Sequence, residues 1–196
     1  MLTLKTERLI LRQWNEADRE PFARMGADPR VMEFLGKTLS REQSDDLADR
    51  IEAHFRAHGF SLFATELAES GEFIGFIGLA VPAFEAAFTP CVEIGWRLAA
   101  EYWNAGLATE GARESMRYAF EELGLVEVVS FTAIGNERSR RVMAKLGMTH
   151  DATENFDHPA IPPGDPLRRH VLYRLTREKW AGAAAAQQGG PRHELR

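Results

Sequence analysis

Val92, Ile94, Trp96 and Leu98 alternate with Glu93, Gly95 and Arg97, and soon afterwards Trp103-Asn104-Ala105-Gly106-Leu107-Ala108-Thr109-Glu110 opens a new pattern. The first stretch has the period of two that marks a strand. The second leads into Ala112, Met116, Ala119, Phe120 and Leu123 at helical spacing, with Gly124 as the stop. A strand that feeds a helix through a turn of small residues constrains the fold strongly. It requires a sheet with a helix packed on it, and it leaves the first N–H groups of that helix without intrahelical partners. With the positive end of the helix dipole, such a turn is a seat for phosphate.

Three kinds of phosphate loop compete for this segment. A P-loop requires Gly, four residues, then Gly-Lys-Ser/Thr, and no such string occurs. A dinucleotide fingerprint requires Gly-x-Gly-x-x-Gly/Ala, and only Gly106 precedes the helix. The coenzyme A loop, Arg/Gln-x-x-Gly-x-Gly/Ala, is matched by Asn104 to Ala108 at its last positions and departs at the first, where Trp103 stands. Two readings remain open for Gly106 and Ala108: close approach of a cofactor backbone, or tight packing of the helix on the sheet.

The rest of the chain supplies the other layers. Glu7 to Trp14 reads as a strand. Asn15 can cap a helix bearing Phe22 and Met25, ended by Gly26 and Pro29. Ser40 and Gln43 form a capping-box pattern ahead of Leu47, Ile51, His54 and Phe55, with Gly59 as the stop. Phe60 to Leu67 and Glu72 to Val81 read as a hairpin around Glu69-Ser70-Gly71, and Gly75 and Gly78 suggest a bulge or a close backbone approach. Val126 to Ala133 is a strand apolar on both faces. Asn136 begins a short helix carrying Val142, Met143 and Leu146, stopped by Gly147, and His170 to Leu175 is a last strand. The expected class is α/β: one domain over residues 1–180 with a mixed sheet flanked by helices, followed by an Ala/Gly/Gln-rich tail, 181–196, that adds nothing to the fold.

Composition excludes some roles. The 196 residues carry a net charge of −5, which argues against a nucleic-acid-binding module. The apolar runs are too short to span a bilayer. The N-terminus lacks a basic segment followed by an apolar one, and a single cysteine, Cys91, leaves no disulfide or cysteine-rich zinc site. A cytoplasmic setting with no membrane and no nucleic-acid partner is expected. His54 and His58 have i, i+4 metal-ligand spacing without an evident third ligand, so packed or surface histidines are the better reading, and no metal is expected.

The chain resembles the GNAT superfamily, the CoA-dependent N-acetyltransferases, and within it the RimJ/RimL-like branch. The resemblance rests on Thr6-Glu7-Arg8-Leu9-Ile10-Leu11-Arg12, Asp28-Pro29, Gly71-Glu72-Phe73-Ile74-Gly75, Glu93-Ile94-Gly95-Trp96, the turn at Gly106, and Asn136, Ser139, Arg141, Lys145 and Gly147, in the family's order. It implies a splayed central sheet with the pantetheine arm of acetyl-CoA paired to the strand around Trp96 to Leu98. It also implies a pyrophosphate held by backbone N–H groups of Asn104, Ala105, Gly106, Leu107, Ala108 and Thr109. Asn136 would bond the pantetheine arm, cap its helix, or do both. Trp103 would cover the cofactor or simply pack, and Arg141 would pair with the cofactor's negative charge.

The implied reaction is direct attack of a primary amine on the thioester, the acceptor being a peptide N-terminal α-amine or a small-molecule amine. Glu93 is the candidate general base; its alternative role is an ion pair with Arg97, two positions on along the same face. Many members protonate the leaving thiolate with a Tyr where this chain has Met143, and Ser139 is the candidate in that neighbourhood. Loss of the Tyr leaves a second reading, a non-catalytic acyl-CoA-binding module. Glu16, Glu33 and Asp157 are candidates for attracting a cationic amine, and His170 for lining the cleft. The family analogy implies a monomer or a homodimer.

Overall fold

The computed structural model describes residues 2–188. Nine strands form one sheet in the order β1-β2-β3-β4-β5-β6-β9-β7, with β8 also paired to β9. The strands are β1 (Thr3–Lys5), β2 (Leu9–Arg12), β3 (Leu62–Leu67), β4 (Phe73–Ala80), β5 (Glu93–Leu98), β6 (Glu127–Ala133), β7 (Thr149–His150), β8 (Phe156–Asp157) and β9 (Arg169–Thr176). Neighbours are antiparallel except β5 and β6, which run parallel and share one pair, Glu93 with Val129. The opposite edges of these two strands are fully used. β5 pairs with β4 over its whole length, and β6 with β9 from Glu127 to Ala133. The sheet is thus mixed and splayed in its centre, with helices on both faces.

One face is covered by α1 (Arg19–Gly26), α2 (Pro29–Met32) and α3 (Arg41–His58), whose Phe22, Met25, Val31 and Ala48 cluster with Phe76 of β4. The other carries α4 (Leu107–Arg117), whose Leu107, Ala112 and Met116 pack with Ile77, Ile94 and Leu98. Gly111 is where α4 meets the sheet: a Cβ there would collide with Ile77 and press on Leu9. α5 (Glu137–Lys145) follows β6, and α6 (Arg177–Gln188) follows β9.

The expected start signals do their work. Asn15 and Asp18 form a reciprocal capping box, as do Ser40 and Gln43, and Gly59 ends α3 in the left-handed conformation. The glycines of β4 mark close backbone contacts. A side chain at Gly78 would overlap the Ser61 carbonyl, and one at Gly75 that of Arg97; the register with β3 shifts beside Gly75.

Several expectations need correction. Pro29 does not end an element but starts α2, with Asp28 as its cap. The helix after the turn is not uniform: beyond Arg117 it widens into a π-helical turn over Tyr118–Glu122. The boundary at 180/181 is not an element end, because α6 runs across it to Gln188; residues 189–196 of the expected tail lie outside the described residues. β1, β7 and β8 were unexpected, since two or three residues carry no readable period.

Candidate active site

Past the Glu93–Val129 pair the facing edges of β5 and β6 separate. In an antiparallel ladder the backbone groups point alternately to either side. Ala99 N–H donates to Ile74 O at 2.9 Å, on the β4 side. The backbone groups of Ile94, Trp96 and Leu98 therefore face β6. Near the junction, Val129 N–H donates to Val92 O at 2.9 Å and the Ser130 hydroxyl to Ile94 O at 3.0 Å. Further out the Trp103 indole N–H donates to Leu98 O at 2.8 Å. Trp96 lies between these contacts, on the open edge of the gap. The Leu98 carbonyl, which the sequence left available to the pantetheine arm, is already committed to Trp103.

The gap opens into a cleft of about 420 Å³. The predicted catalytic and cofactor-binding residues line it except Ala105, whereas Glu16, Glu33, Asp157 and His170 do not. The turn at its mouth is held in left-handed backbone at Asn104 (φ 60°) and Gly106 (φ 82°), the latter being the N-cap of α4. The N–H groups of Leu107, Ala108 and Thr109 sit in the first turn, where no intrahelical acceptor exists.

The turn is braced by the N-terminal strand motif. Arg8 donates from Nη1 to Ala105 O at 3.0 Å and from Nε to Glu110 Oε2 at 2.7 Å, and the Thr6 hydroxyl donates to Glu110 Oε1 at 2.6 Å. Burial works against ionisation of Glu110, yet the hydrogen bonds from Thr6 and Arg8 outweigh it and hold the carboxyl below its ordinary range. Sequence reasoning missed this brace, since its partners lie about a hundred residues apart. Ala105 has its carbonyl in the brace and its side chain outside the cleft.

On the far wall, Asn136 caps α5: its Oδ1 accepts from Ser139 N–H at 3.2 Å, and its Nδ2 donates to Thr132 Oγ1 at 2.9 Å. One amide hydrogen is left for a ligand. The Ser139 hydroxyl has no hydrogen-bond partner among the described residues, and Met143 is buried in the core beside it. Arg141 is exposed and pairs with Glu137 at 3.5 Å. Arg138 stacks on the Trp103 ring at 4.5 Å and pairs with Glu33.

Glu93 stands where the two strands part. It makes no hydrogen bond or ion pair among the described residues, and burial pushes its carboxyl up to about 8. The anticipated ion pair with Arg97 does not form: four strand residues separate their Cα atoms by ~13 Å. Arg97 lies over the Phe76 ring at 5.2 Å.

The acids expected to attract a cationic amine are all matched by arginines: Glu16 by Arg19, Glu33 by Arg138, and Asp157 by Arg168 and Arg169. Among the described residues Glu93 is the only carboxylate that lines the cleft, against Arg30, Arg97, Arg138, Arg141 and Lys145.

The remaining candidates have packing roles. His54 accepts from Val81 N–H through Nε2 at 2.9 Å while Nδ1 meets Phe60 O at 3.0 Å, so both ring nitrogens are used within the fold. His170 is buried against Phe131, Phe156 and His158. Burial raises the Cys91 thiol to about 11, which disfavours a thiolate nucleophile.

Comparison with known proteins agrees with this geometry. Over 185 residues the chain is 38% identical to the FsC-acetyl coenzyme A-N(2)-transacetylase of Aspergillus fumigatus, covering 91% of this chain and 77% of that protein. The crystal structure of an acetyltransferase from Agrobacterium tumefaciens superposes with a TM-score of 0.71 at 30% identity, over 89% of this chain and 94% of the other. The spermidine N-acetyltransferase of Vibrio cholerae, solved with CoA and spermine, shares the fold at a TM-score of 0.70 and 16% identity, over 90% of this chain and 99% of the other. Residues 8–149 match the family described as the acetyltransferase (GNAT) domain. With a strand pair that parts beside a helix N-terminus and a family match over most of its length, the chain belongs to the GNAT acetyltransferases and is an N-acetyltransferase.

Proposed function

We propose that this protein transfers the acetyl group of acetyl-CoA directly to a primary amine, either a peptide N-terminal α-amine or the amine of a small molecule. The observation that carries the proposal is the juxtaposition at the parting of β5 and β6: an open strand edge at Trp96, a braced helix N-terminus at Gly106 to Thr109, and the unpartnered carboxyl of Glu93. A relative whose name specifies acetyl coenzyme A and an N(2) position supports both donor and reaction type.

In this reading the N–H groups from Asn104 to Thr109 hold the pyrophosphate. Trp96 pairs with the pantetheine arm along with the Leu98 N–H, and Asn136 gives its remaining amide hydrogen. Arg141 contributes charge at the rim, and Trp103 fixes the end of β5 instead of covering the cofactor. Acetyl-CoA supplies an activated thioester. Glu93 takes one proton from the incoming ammonium, and its raised pKa is well matched to an α-amine near 7.7–8.0. The amine nitrogen then bonds the acetyl carbon, the carbon–sulfur bond breaks as the nitrogen gives up its second proton to solvent, and the sulfur leaves as thiolate. The half-buried Ser139 hydroxyl donates a hydrogen bond to that developing charge, and a solvent proton completes the thiol. We place the chain in the RimJ/RimL-like branch, acting in the cytoplasm as a monomer or homodimer, with neither nucleic acid nor membrane as partner.

The buried thioether of Met143, where many relatives carry a Tyr, favours one second reading: an acyl-CoA-binding module without turnover. Thiol release from acetyl-CoA over a panel of amines decides between them. Amine-dependent release supports transfer, and a CoA-induced thermal shift with no release for any amine supports the module.

A further inference from the structure

Arg97 is a buried cation of the cleft wall with no ion pair among the described residues. Its Nε and Nη1 are buried and have no hydrogen-bond partner among the described residues, although the residue lines the cleft. The other arginines at the rim differ: Arg30 pairs with Asp28, Arg138 with Glu33 and Arg141 with Glu137. A buried cation without a counter-charge is costly. Burial lowers the guanidinium to about 10, still well above neutrality, so it stays charged. The Phe76 ring covers one face at 5.2 Å and leaves the planar edge with its donors for an in-plane partner.

The sheet register says which ligand lies near. Arg97 sits directly opposite Phe76, and Glu93 opposite Ala80, so both side chains lie on the face covered by α1, α2 and α3. Trp96, opposite Ile77, and the helix α4 lie on the other face. The pyrophosphate seat belongs to α4, whereas Arg97 shares its face with the candidate base.

We propose that Arg97 binds a carboxylate carried by the acceptor, so that the acceptor is an amine-bearing carboxylic acid, such as an amino acid, and not a polyamine or a simple alkylamine. The proposal rests on the acetyl-transfer reading above, with the amine at Glu93 and the carboxylate at Arg97. The lining charges without an ion pair among the described residues, Arg97 and Lys145 against Glu93, suit an acceptor that brings both a carboxylate and an amine.

The test compares amino acids with their carboxamides and their decarboxylated amines, using acetyl-CoA and the full chain and reading thiol release. The wild type is expected to favour the acid in kcat/KM by about tenfold or more, the scale of a charge-assisted pair. Arg97→Met should remove that preference by lowering the rate for acids alone, with KM for acetyl-CoA unchanged and a thermal midpoint equal to or above the wild type. Arg97→Lys, which keeps the charge and loses the fork, should fall between and decides the matter if the Met variant does not fold. A preference that survives both changes, a wild-type preference for amides or decarboxylated amines, or a rise in KM for acetyl-CoA overturns the proposal; the last assigns Arg97 to the donor. If no amine releases thiol, the transfer reading fails by itself. Calorimetric titration of CoA-loaded protein with N-acetyl amino acids still tests Arg97. Binding lost in Arg97→Met supports the carboxylate site, and equal binding or none in either protein overturns it.

Discussion

At the scale of single residues, Glu93 combines a catalytic expectation with a cost in stability. Its folded-state pKa of about 8 lies above that of an ordinary glutamate, about 4.3 in an unfolded chain. The folded protein therefore binds the extra proton between those values, and stability falls as pH rises from the lower to the upper one. Glu93→Gln should raise the thermal midpoint at pH 8–9 and lose that advantage near pH 4, which a series of melting curves will register. In turnover the sign reverses: the wild-type rate should climb through about pH 8 as the carboxylate forms, and the Gln variant should lack that limb. A retained limb assigns the base elsewhere. Gly106 offers a second test. Its φ of 82° makes Gly106→Trp strained, and the ring would stand over the turn proposed to hold phosphate. CoA affinity measured by calorimetry should fall below detection while circular dichroism stays native. Both residues were legible in the sequence, Glu93 from strand alternation and Gly106 from the helix start. The alternative role of Glu93, an ion pair with Arg97, does not form, because alternation gives the face of a residue but not the distance to its neighbours.

At the scale of elements, caps were readable and braces were not. Ser40 and Gln43 announce α3 by their spacing, and both halves of the box form. Ser40→Ala should cost about 1 kcal/mol in denaturant unfolding, with catalytic constants unchanged. The Thr6–Arg8–Glu110 brace has no local signature, because it joins the turn between β1 and β2 to a helix distant in sequence. Glu110→Gln keeps the shape and weakens the charge-assisted bonds. It should raise KM for acetyl-CoA several-fold more than it lowers kcat, since Glu110 positions the turn through Arg8 and Ala105. An equal loss in both constants contradicts a positioning role. The Pro29 error has a simple origin: proline both stops helices and occupies their first turn, and only the extended Asp28 before it shows which.

At the scale of the molecule, two antiparallel blocks, β1–β5 and β6–β9 with its short partners, meet at one parallel residue pair. A ligand filling the gap satisfies strand edges from both blocks. Saturating CoA should therefore raise the thermal midpoint, and hydrogen exchange should slow at Trp96 and at residues 104–109 while β2, three strands from β5 in the sheet, is unaffected. Uniform protection across the sheet contradicts a ligand seated in the gap. The sequence alone determined where the long strands and helices lie, which turn of small residues opens α4, and that the P-loop and dinucleotide motifs do not occur, because period, caps and glycine placement act over a few residues. Only the tertiary structure decided that β5 and β6 part after one pair, that Arg8 braces the turn, that the acids near the cleft are spent on arginines, and that Arg97 is left unmatched. Those facts depend on which side chains meet across elements, and such meetings follow from the packing of the whole sheet.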